Sequence, residues 1–97
     1  MALTFERHSG GAPDNAAVVA VSTEIVAVNQ NRSYLLIQND SAAVVYLALN
    51  ALAVVGQGIR LNAEGGSYEI NFTNLYTGAV NAITAVGPQN VCIQEGY

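Results

Sequence analysis

The residues able to do chemistry are few, and the first of them is a single histidine, His8. It stands in a tract rich in glycine, proline and asparagine, residues 8–15, which supports neither helix nor strand. A nucleophilic triad would need this tract to hold His8 against a serine or against Cys92, and nothing in the pattern favours such a contact. One histidine and one cysteine also fall short of the three or four ligands that zinc prefers. The sequence therefore predicts no enzyme, with no catalytic residues, no metal and no cofactor.

The only cysteine, Cys92, lies between Val91 and Ile93 in an apolar run. No cationic neighbour in the sequence would favour its thiolate, and it has no second cysteine with which to form an intrachain disulfide. Free cysteine in such a setting behaves as a small hydrophobic residue. We expect Cys92 to be buried and unreactive.

The seven carboxylates are spread singly along the chain. Glu64 and Glu69 could face each other across a predicted hairpin, as paired acids or as part of a calcium site. A solvated hairpin tip is the favoured interpretation, because no Asp-x-Asp spacing supports calcium. The glycines at 56, 58, 65 and 66 precede no Lys-Ser/Thr pair, so they indicate turns with positive φ rather than a phosphate loop.

Five tyrosines provide the aromatic surface on which a sugar could stack. Tyr34, Tyr46 and Tyr68 fall in predicted strands, where we expect the rings to pack and the hydroxyls to reach a partner. Tyr76 stands in a predicted loop near Asn74. It is the exposed candidate for carbohydrate binding.

The composition favours a protein that neighbours partly cover. Of the 97 residues, 52% are hydrophobic and only 10% are charged, and lysine is absent; a typical soluble domain carries about 25% charged residues. Charged side chains are depleted at the centres of protein interfaces because their desolvation is expensive. We therefore expect a homo-oligomer or a similar assembly, the alternative being a monomer with a neutral surface rich in Ala and Asn.

The charge pattern argues against two classes of partner. The net charge is −4 and the three arginines are scattered, whereas nucleic acids and anionic membranes both require clustered Lys or Arg. The first residues lack the basic start and apolar core of a signal peptide. The apolar stretch 42–55 is too short for a membrane helix and contains Asn50. We expect a soluble protein made in the cytoplasm.

The apolar pattern along the chain has the period of two that is typical of strands. Strands are predicted at residues 16–21, 23–28, 33–38, 44–49, 58–62, 67–71, 79–86 and 91–95. Turns recur every eight to twelve residues, which predicts an all-β fold: a small antiparallel sandwich or a jelly-roll/barrel of seven or eight short strands. The turns 39–42, 63–66 and 87–90 predict three β-hairpins.

One segment also fits a helix, because Leu47, Ala51 and Val54 fall at helical spacing. The β-branched and aromatic residues 44–46 favour a strand instead, and Gly56 ends the run. The strand at 33–38 is apolar on both faces, so it is central in its sheet or is covered by a neighbouring chain.

Two regions follow from this pattern, an N-terminal arm at residues 1–15 and a single β domain at residues 16–97. The arm contains Leu3 and Phe5 ahead of its breaker-rich tract. Such a segment is ordered only when something holds it. It is either a disordered tail or an anchor that docks Leu3 and Phe5 on a partner.

A resemblance to a known group of proteins rests on three stretches. They are Asn31–Asn39 with its Arg-Ser-Tyr-Leu-Leu-Ile-Gln-Asn run, Val45–Ala48, and the Gly-Ile-Arg-Leu and Gly-Gly-Ser-Tyr-Glu-Ile runs of residues 58–70. Over residues 31–97 the chain resembles small structural proteins of tailed bacteriophages, and within that group it is most similar to head decoration, or cement, proteins. The resemblance implies a β-rich trimer that clamps the outer seams between major capsid proteins, with residues 1–15 as the anchor.

The expected function is therefore that of a capsid decoration protein on the surface of the virion. The residues expected at the capsid or oligomer interface are Leu3, Phe5, Arg7, Tyr34, Leu36, Tyr46 and Tyr76. Two alternatives stay open: a receptor- or carbohydrate-binding module of a tail fibre or adhesin, with Asn74, Tyr76 and Asn81 at its site, and a head–tail connector component. Copy number per particle and a glycan screen separate the three.

Overall fold

Inward-facing apolar residues alternate with outward-facing polar ones and so define the strands. In the computed structural model, which describes residues 11–97, the strand with the two-faced apolar pattern buries Leu35 and Ile37 completely. Tyr34 and Leu36 lie on its other face, where they are half-buried. The eight strands are β1 (Asp14–Val18), β2 (Thr23–Val26), β3 (Tyr34–Asn39), β4 (Val45–Leu49), β5 (Ile59–Leu61), β6 (Ser67–Ile70), β7 (Val80–Thr84) and β8 (Gln89–Gly96).

The strands form two antiparallel sheets of four. Sheet A has the order β1-β8-β3-β6 and sheet B the order β2-β7-β4-β5. The pairs β1/β8, β2/β7, β3/β6 and β4/β5 are nested, each enclosing the next along the chain. Such nesting, wrapped into two facing sheets, is the jelly-roll topology. The predicted all-β sandwich or jelly roll is confirmed, and residues 42–55 contain no helix.

All three predicted hairpins are wrong. The turns at 39–42, 63–66 and 87–90 join β3 to β4, β5 to β6 and β7 to β8, and each of these pairs is divided between the two sheets. Each turn therefore carries the chain from one sheet across to the other. Within residues 11–97 the one local hairpin is β4–β5, whose strands pair from Val45 with Leu61 to Leu47 with Ile59.

The core lies between the sheets and draws residues from every strand. Its buried members are Val18, Val26, Leu35, Ile37, Val45, Leu47, Leu61, Ile70, Val80, Ala82, Val91 and Ile93. β3 occupies an inner position in sheet A, between β6 and β8, as its two apolar faces predicted. β1 begins at Asp14, so the last two residues of the predicted arm belong to sheet A.

Candidate interaction surfaces

His8 and Cys92 are the two residues that the sequence predicts to be unreactive. His8 lies outside the described residues. Cys92 is exposed, which overturns its predicted burial: Val91 and Ile93 point into the core, and the alternation of the strand turns Cys92 outward. Its Sγ lies 3.9 Å from the Asp40 carboxylate. Residues 11–97 contain no group of three or more His, Cys, Asp or Glu side chains able to hold a metal ion.

A buried arginine at one end of the sandwich is the feature that sequence reasoning missed. Arg32, only 2% exposed, donates through Nε to Oε2 of Glu95 at 2.6 Å. Its Nη1 donates to the carbonyls of Tyr76 and Gly78 at 3.0 and 2.9 Å, and its Nη2 to the carbonyl of Ala27 at 2.7 Å. These contacts form the Arg32 cluster. Every donor nitrogen of the side chain is engaged within the chain, so the cluster holds loops together and offers no free cation to a ligand.

A buried asparagine performs a similar task at the opposite end. Asn39, the last residue of β3, is completely buried, and its Nδ2 donates to the carbonyls of Ala43, Leu61 and Asn62 at 2.7–3.2 Å. Its Oδ1 accepts a 2.6 Å hydrogen bond from the hydroxyl of Ser41. These contacts form the Asn39 cluster, which ties the β3–β4 turn to the end of β5.

The outer side of sheet A is a largely uncharged surface, which we call the sheet-A face: Tyr34, Leu36, Gln38, Cys92 and Gln94. These residues lie on the adjacent strands β3 and β8, where Leu36 faces Gln94 and Gln38 faces Cys92. A groove of about 280 Å³ runs between them and the start of β1. The face presents amide groups around an apolar centre and is suited to burial against protein.

The carboxylates of Asp14, Asp40 and Glu69 border the sheet-A face, and Tyr34 engages the last of them. The Tyr34 hydroxyl donates to Oε2 of Glu69 at 2.7 Å. This hydrogen bond raises the pKa of Tyr34 above its ordinary value of 10.0, and partial burial and the negative charge of Glu69 raise it further. The predicted hydrogen-bond partner of the Tyr34 hydroxyl is therefore present, and the ring lies half-buried on the outer side of sheet A rather than in the core.

A second surface lies on the outer side of sheet B, where the β4–β5 connection, residues 50–58, folds back over the strands. Nδ2 of Asn81 donates to the carbonyl of Ala51, and the Ala53 amide donates to Oγ of Ser22 at 2.9 Å. Ala53, within the connection, is buried. We call residues 50–58 the crossing loop.

Three large apolar side chains of the crossing loop point outward. Leu52 is 79% exposed, Val54 46% and Val55 44%. Leu52 and Val54 border a hollow of about 140 Å³ against Ala48 of β4, and Val55 is exposed next to them in the chain. We call these four residues the loop patch. The signal that could have found it was an apolar run that continues beyond the length of a strand, past Asn50, to Gly56.

The residues predicted for the interface do not form one surface. Tyr34 and Leu36 lie together on the sheet-A face, whereas Tyr46 lies on the outer side of sheet B, opposite Ile83 and Arg60. Tyr76 is half-buried against the core. The other three, Leu3, Phe5 and Arg7, lie outside the described residues.

The side chains predicted for carbohydrate binding are engaged within the chain. The Tyr76 hydroxyl donates to the carbonyl of Ala79 at 2.7 Å. Asn74 donates through Nδ2 to the carbonyl of Glu69 and accepts from the Asn71 amide, which orders the loop. Asn81 holds the crossing loop on a different face. The three predicted residues therefore do not converge on one sugar-binding platform.

Two further findings concern membrane-spanning helices and similarity to known proteins. Residues 11–97 form no helix with the length and apolar character needed to cross a membrane. Comparison of the chain with known protein families, with curated proteins and with solved structures found no match.

Proposed function

We propose that this chain is a non-enzymatic structural protein of a bacteriophage virion, which binds the outside of the capsid shell as a decoration protein. The observation that carries the proposal is the sheet-A face. It occupies the centre of a four-stranded sheet and presents Leu36 between the Gln94 amide on one neighbouring strand and the Glu69 carboxylate on the other. Interfaces of this kind exclude water from an apolar centre and keep hydrogen-bonding groups around it.

The energetics suit a protein that acts by burial. Each square ångström of apolar surface removed from water contributes about 25 cal/mol. Binding at several sites strengthens the attachment, because each contact that a copy makes with the shell raises the effective concentration for its next contact. The resemblance of residues 31–97 to phage decoration proteins supplies the partner, the major capsid protein. The jelly-roll topology is also found in viral capsid domains.

Jelly rolls also occur in lectins, so the carbohydrate-binding alternative shares this support. It is the weaker candidate because Asn74, Tyr76 and Asn81 use their polar groups within the chain. A glycan array probed with the purified protein tests it, and selective binding to one glycan class would favour the alternative.

The direct test is co-sedimentation of the purified protein with phage capsids that lack it. We expect saturable binding at many copies per shell and a higher melting temperature of the decorated shell. Leu36→Arg should abolish binding, because it places a charge at the apolar centre of the face. The fold should be preserved, because the new cation lies on the surface beside Glu69 of the neighbouring strand. Leu75→Arg is the control: it makes the same change at an exposed loop residue that does not line the groove of the face.

Two results would contradict the proposal. If the unaltered protein fails to bind any shell of the source phage, the major capsid protein is not its partner. Binding at only a few copies per particle would assign the chain to the head–tail connector instead.

A further inference from the structure

Sheet B carries only two charged side chains, and they have opposite signs. Its four strands contain Glu24 in β2 and Arg60 in β5, which are the two edge strands. The register places Glu24 level with Asn81 and Arg60 level with Tyr46, both on the outer side of the sheet. Three strand spacings, about 14 Å, separate the two charges across the sheet.

The two charges are available to a partner. The Glu24 carboxylate has no hydrogen-bond or ion-pair partner among residues 11–97, and the Arg60 guanidinium makes one hydrogen bond, from Nε to Oδ1 of Asn62. Both side chains are exposed. The crossing loop, which has no charged residue, lies over the sheet between their two edge strands.

We propose that the loop patch binds a second copy of this chain about a two-fold axis. When two identical faces meet about an axis that lies in the interface, each residue meets the image of a residue across that axis. An axis perpendicular to the line from Glu24 to Arg60 brings Glu24 of each copy onto Arg60 of the other. The contact then contains two ion pairs at its rim and Leu52, Val54 and Val55 at its centre.

The charges select this partner and this orientation. Turning the axis parallel to the line from Glu24 to Arg60 would place like charges opposite each other, which is repulsive. A surface with one carboxylate and one guanidinium at opposite edges is complementary to itself. The apolar centre supplies affinity and the charged rim supplies register, as in other protein interfaces.

This inference goes beyond the proposed function, since it concerns the face opposite to the one assigned to the shell and needs no capsid. It also differs from the trimer that the resemblance implies. Self-association can fail while shell binding through Leu36 persists, and the reverse also holds. The two experiments therefore report separately.

Charge reversal tests the proposal by sedimentation velocity of the full-length protein. The unaltered chain should form a dimer that weakens as salt is raised, because salt screens exposed ion pairs. Glu24→Arg alone and Arg60→Glu alone each make both rim pairs repulsive, and we expect the dimer dissociation constant to rise roughly tenfold to a hundredfold. Glu64→Arg, the same charge change on a different loop, should leave it unchanged.

Mixing the two charge-reversed variants tests the proposed pairing most directly. The Glu24→Arg chain carries two cations on this face and the Arg60→Glu chain two carboxylates, so an equimolar mixture should form a heterodimer. The double variant Glu24→Arg/Arg60→Glu should dimerise like the unaltered chain. If the mixture stays monomeric while the unaltered chain dimerises, the proposed pairing is wrong.

The apolar centre has its own test. Leu52→Asp should abolish dimerisation with an unchanged melting temperature, since Leu52 is exposed and supports no core contact. Leu75→Asp, an equivalent change on the β6–β7 connection, should have no effect on association. A monomeric unaltered chain, or a trimer that both Leu52→Asp and charge reversal leave intact, would overturn the proposal.

Discussion

Strand β3 stands between two buried polar clusters of opposite chemistry. The Arg32 cluster, just before the strand, joins a guanidinium to one carboxylate and three carbonyls that come from three separate segments. The Asn39 cluster, at its last residue, uses one neutral amide to close two neighbouring turns. No buried side-chain nitrogen or oxygen of residues 11–97 lacks a partner.

The two ends of β3 require side chains of different length. The groups joined at the Arg32 end come from segments that are distant in sequence, so a long side chain with a fork of donors is needed to reach all of them. At the Asn39 end the turns are short and their carbonyls already converge, so a short amide is enough. The costs of removal should differ in the same way, because only one cluster leaves a charge behind.

The largest effect is expected from Arg32→Met, which keeps much of the apolar stem and removes the charge. Glu95 would lose its cation and three carbonyls would lose their donor, and truncating one partner of a buried ion pair costs about 3–5 kcal/mol. Urea unfolding should show a large fall in the midpoint with an unchanged slope. Arg60→Met, at an exposed arginine, is the matched control; at protein concentrations too low for self-association it should change stability by less than about 0.5 kcal/mol.

An intermediate effect is expected from Asn39→Leu. This change leaves three neutral carbonyls without a donor, and the buried site must also accommodate a branched side chain. Such unsatisfied groups cost about 1–3 kcal/mol each, and relaxation of the turns toward water should keep the total near the upper part of that range. The same urea experiment measures it, with the exposed Asn31→Leu as control. Equal losses for Arg32→Met and Asn39→Leu would contradict the comparison.

The smallest effect is expected from Tyr34→Phe, on the same strand but at its surface. Loss of the hydrogen bond to Glu69 should lower stability by less than about 1 kcal/mol. Since the pKa of folded Tyr34 is raised above its unfolded value, the stability it contributes is present below pH 10 and is lost as pH rises through the folded pKa.

A spectroscopic titration isolates this group. Ultraviolet absorbance should show one tyrosine that ionises at a higher pH than in the unfolded chain, and that component should be absent in Tyr34→Phe. Glu69→Gln should shift it back toward lower pH, because the negative charge is removed while an acceptor oxygen remains. An unchanged curve in Glu69→Gln, together with the absence of any late-titrating component in the unaltered protein, would show that the Tyr34–Glu69 contact does not form in solution.

The sequence predicted the strands far better than their pairing. Period-two alternation marks a strand in either sheet, and a four-residue turn can close a hairpin or carry the chain to the facing sheet. The turn at 39–42 looks the same in both cases, because the difference lies in whether the next strand pairs with β3 or packs over it. That choice depends on β6 and β8, which hydrogen-bond to β3 from distant parts of the chain.

The polar residues were predicted least well, for a related reason. Arg32 ends a polar stretch and has the local pattern of a turn, and the acceptors that bury it lie at residues 27, 76, 78 and 95. Cys92 is the opposite case. Strict alternation with Val91 and Ile93 predicts an outward position, and the apolar character of the neighbours was given too much weight.

The nested pairing also sets an order in which the chain can fold. Closing β4 on β5 encloses residues 50–58, whereas closing β3 on β6, β2 on β7 and β1 on β8 encloses residues 40–66, 27–79 and 19–88 in turn. The entropy lost on loop closure grows with the length enclosed, and each pair already formed shortens the next closure. We expect folding to start at β4–β5 and to proceed outward, at the slow rates of proteins rich in non-local contacts. The β1–β8 pair would form last and be the first to open.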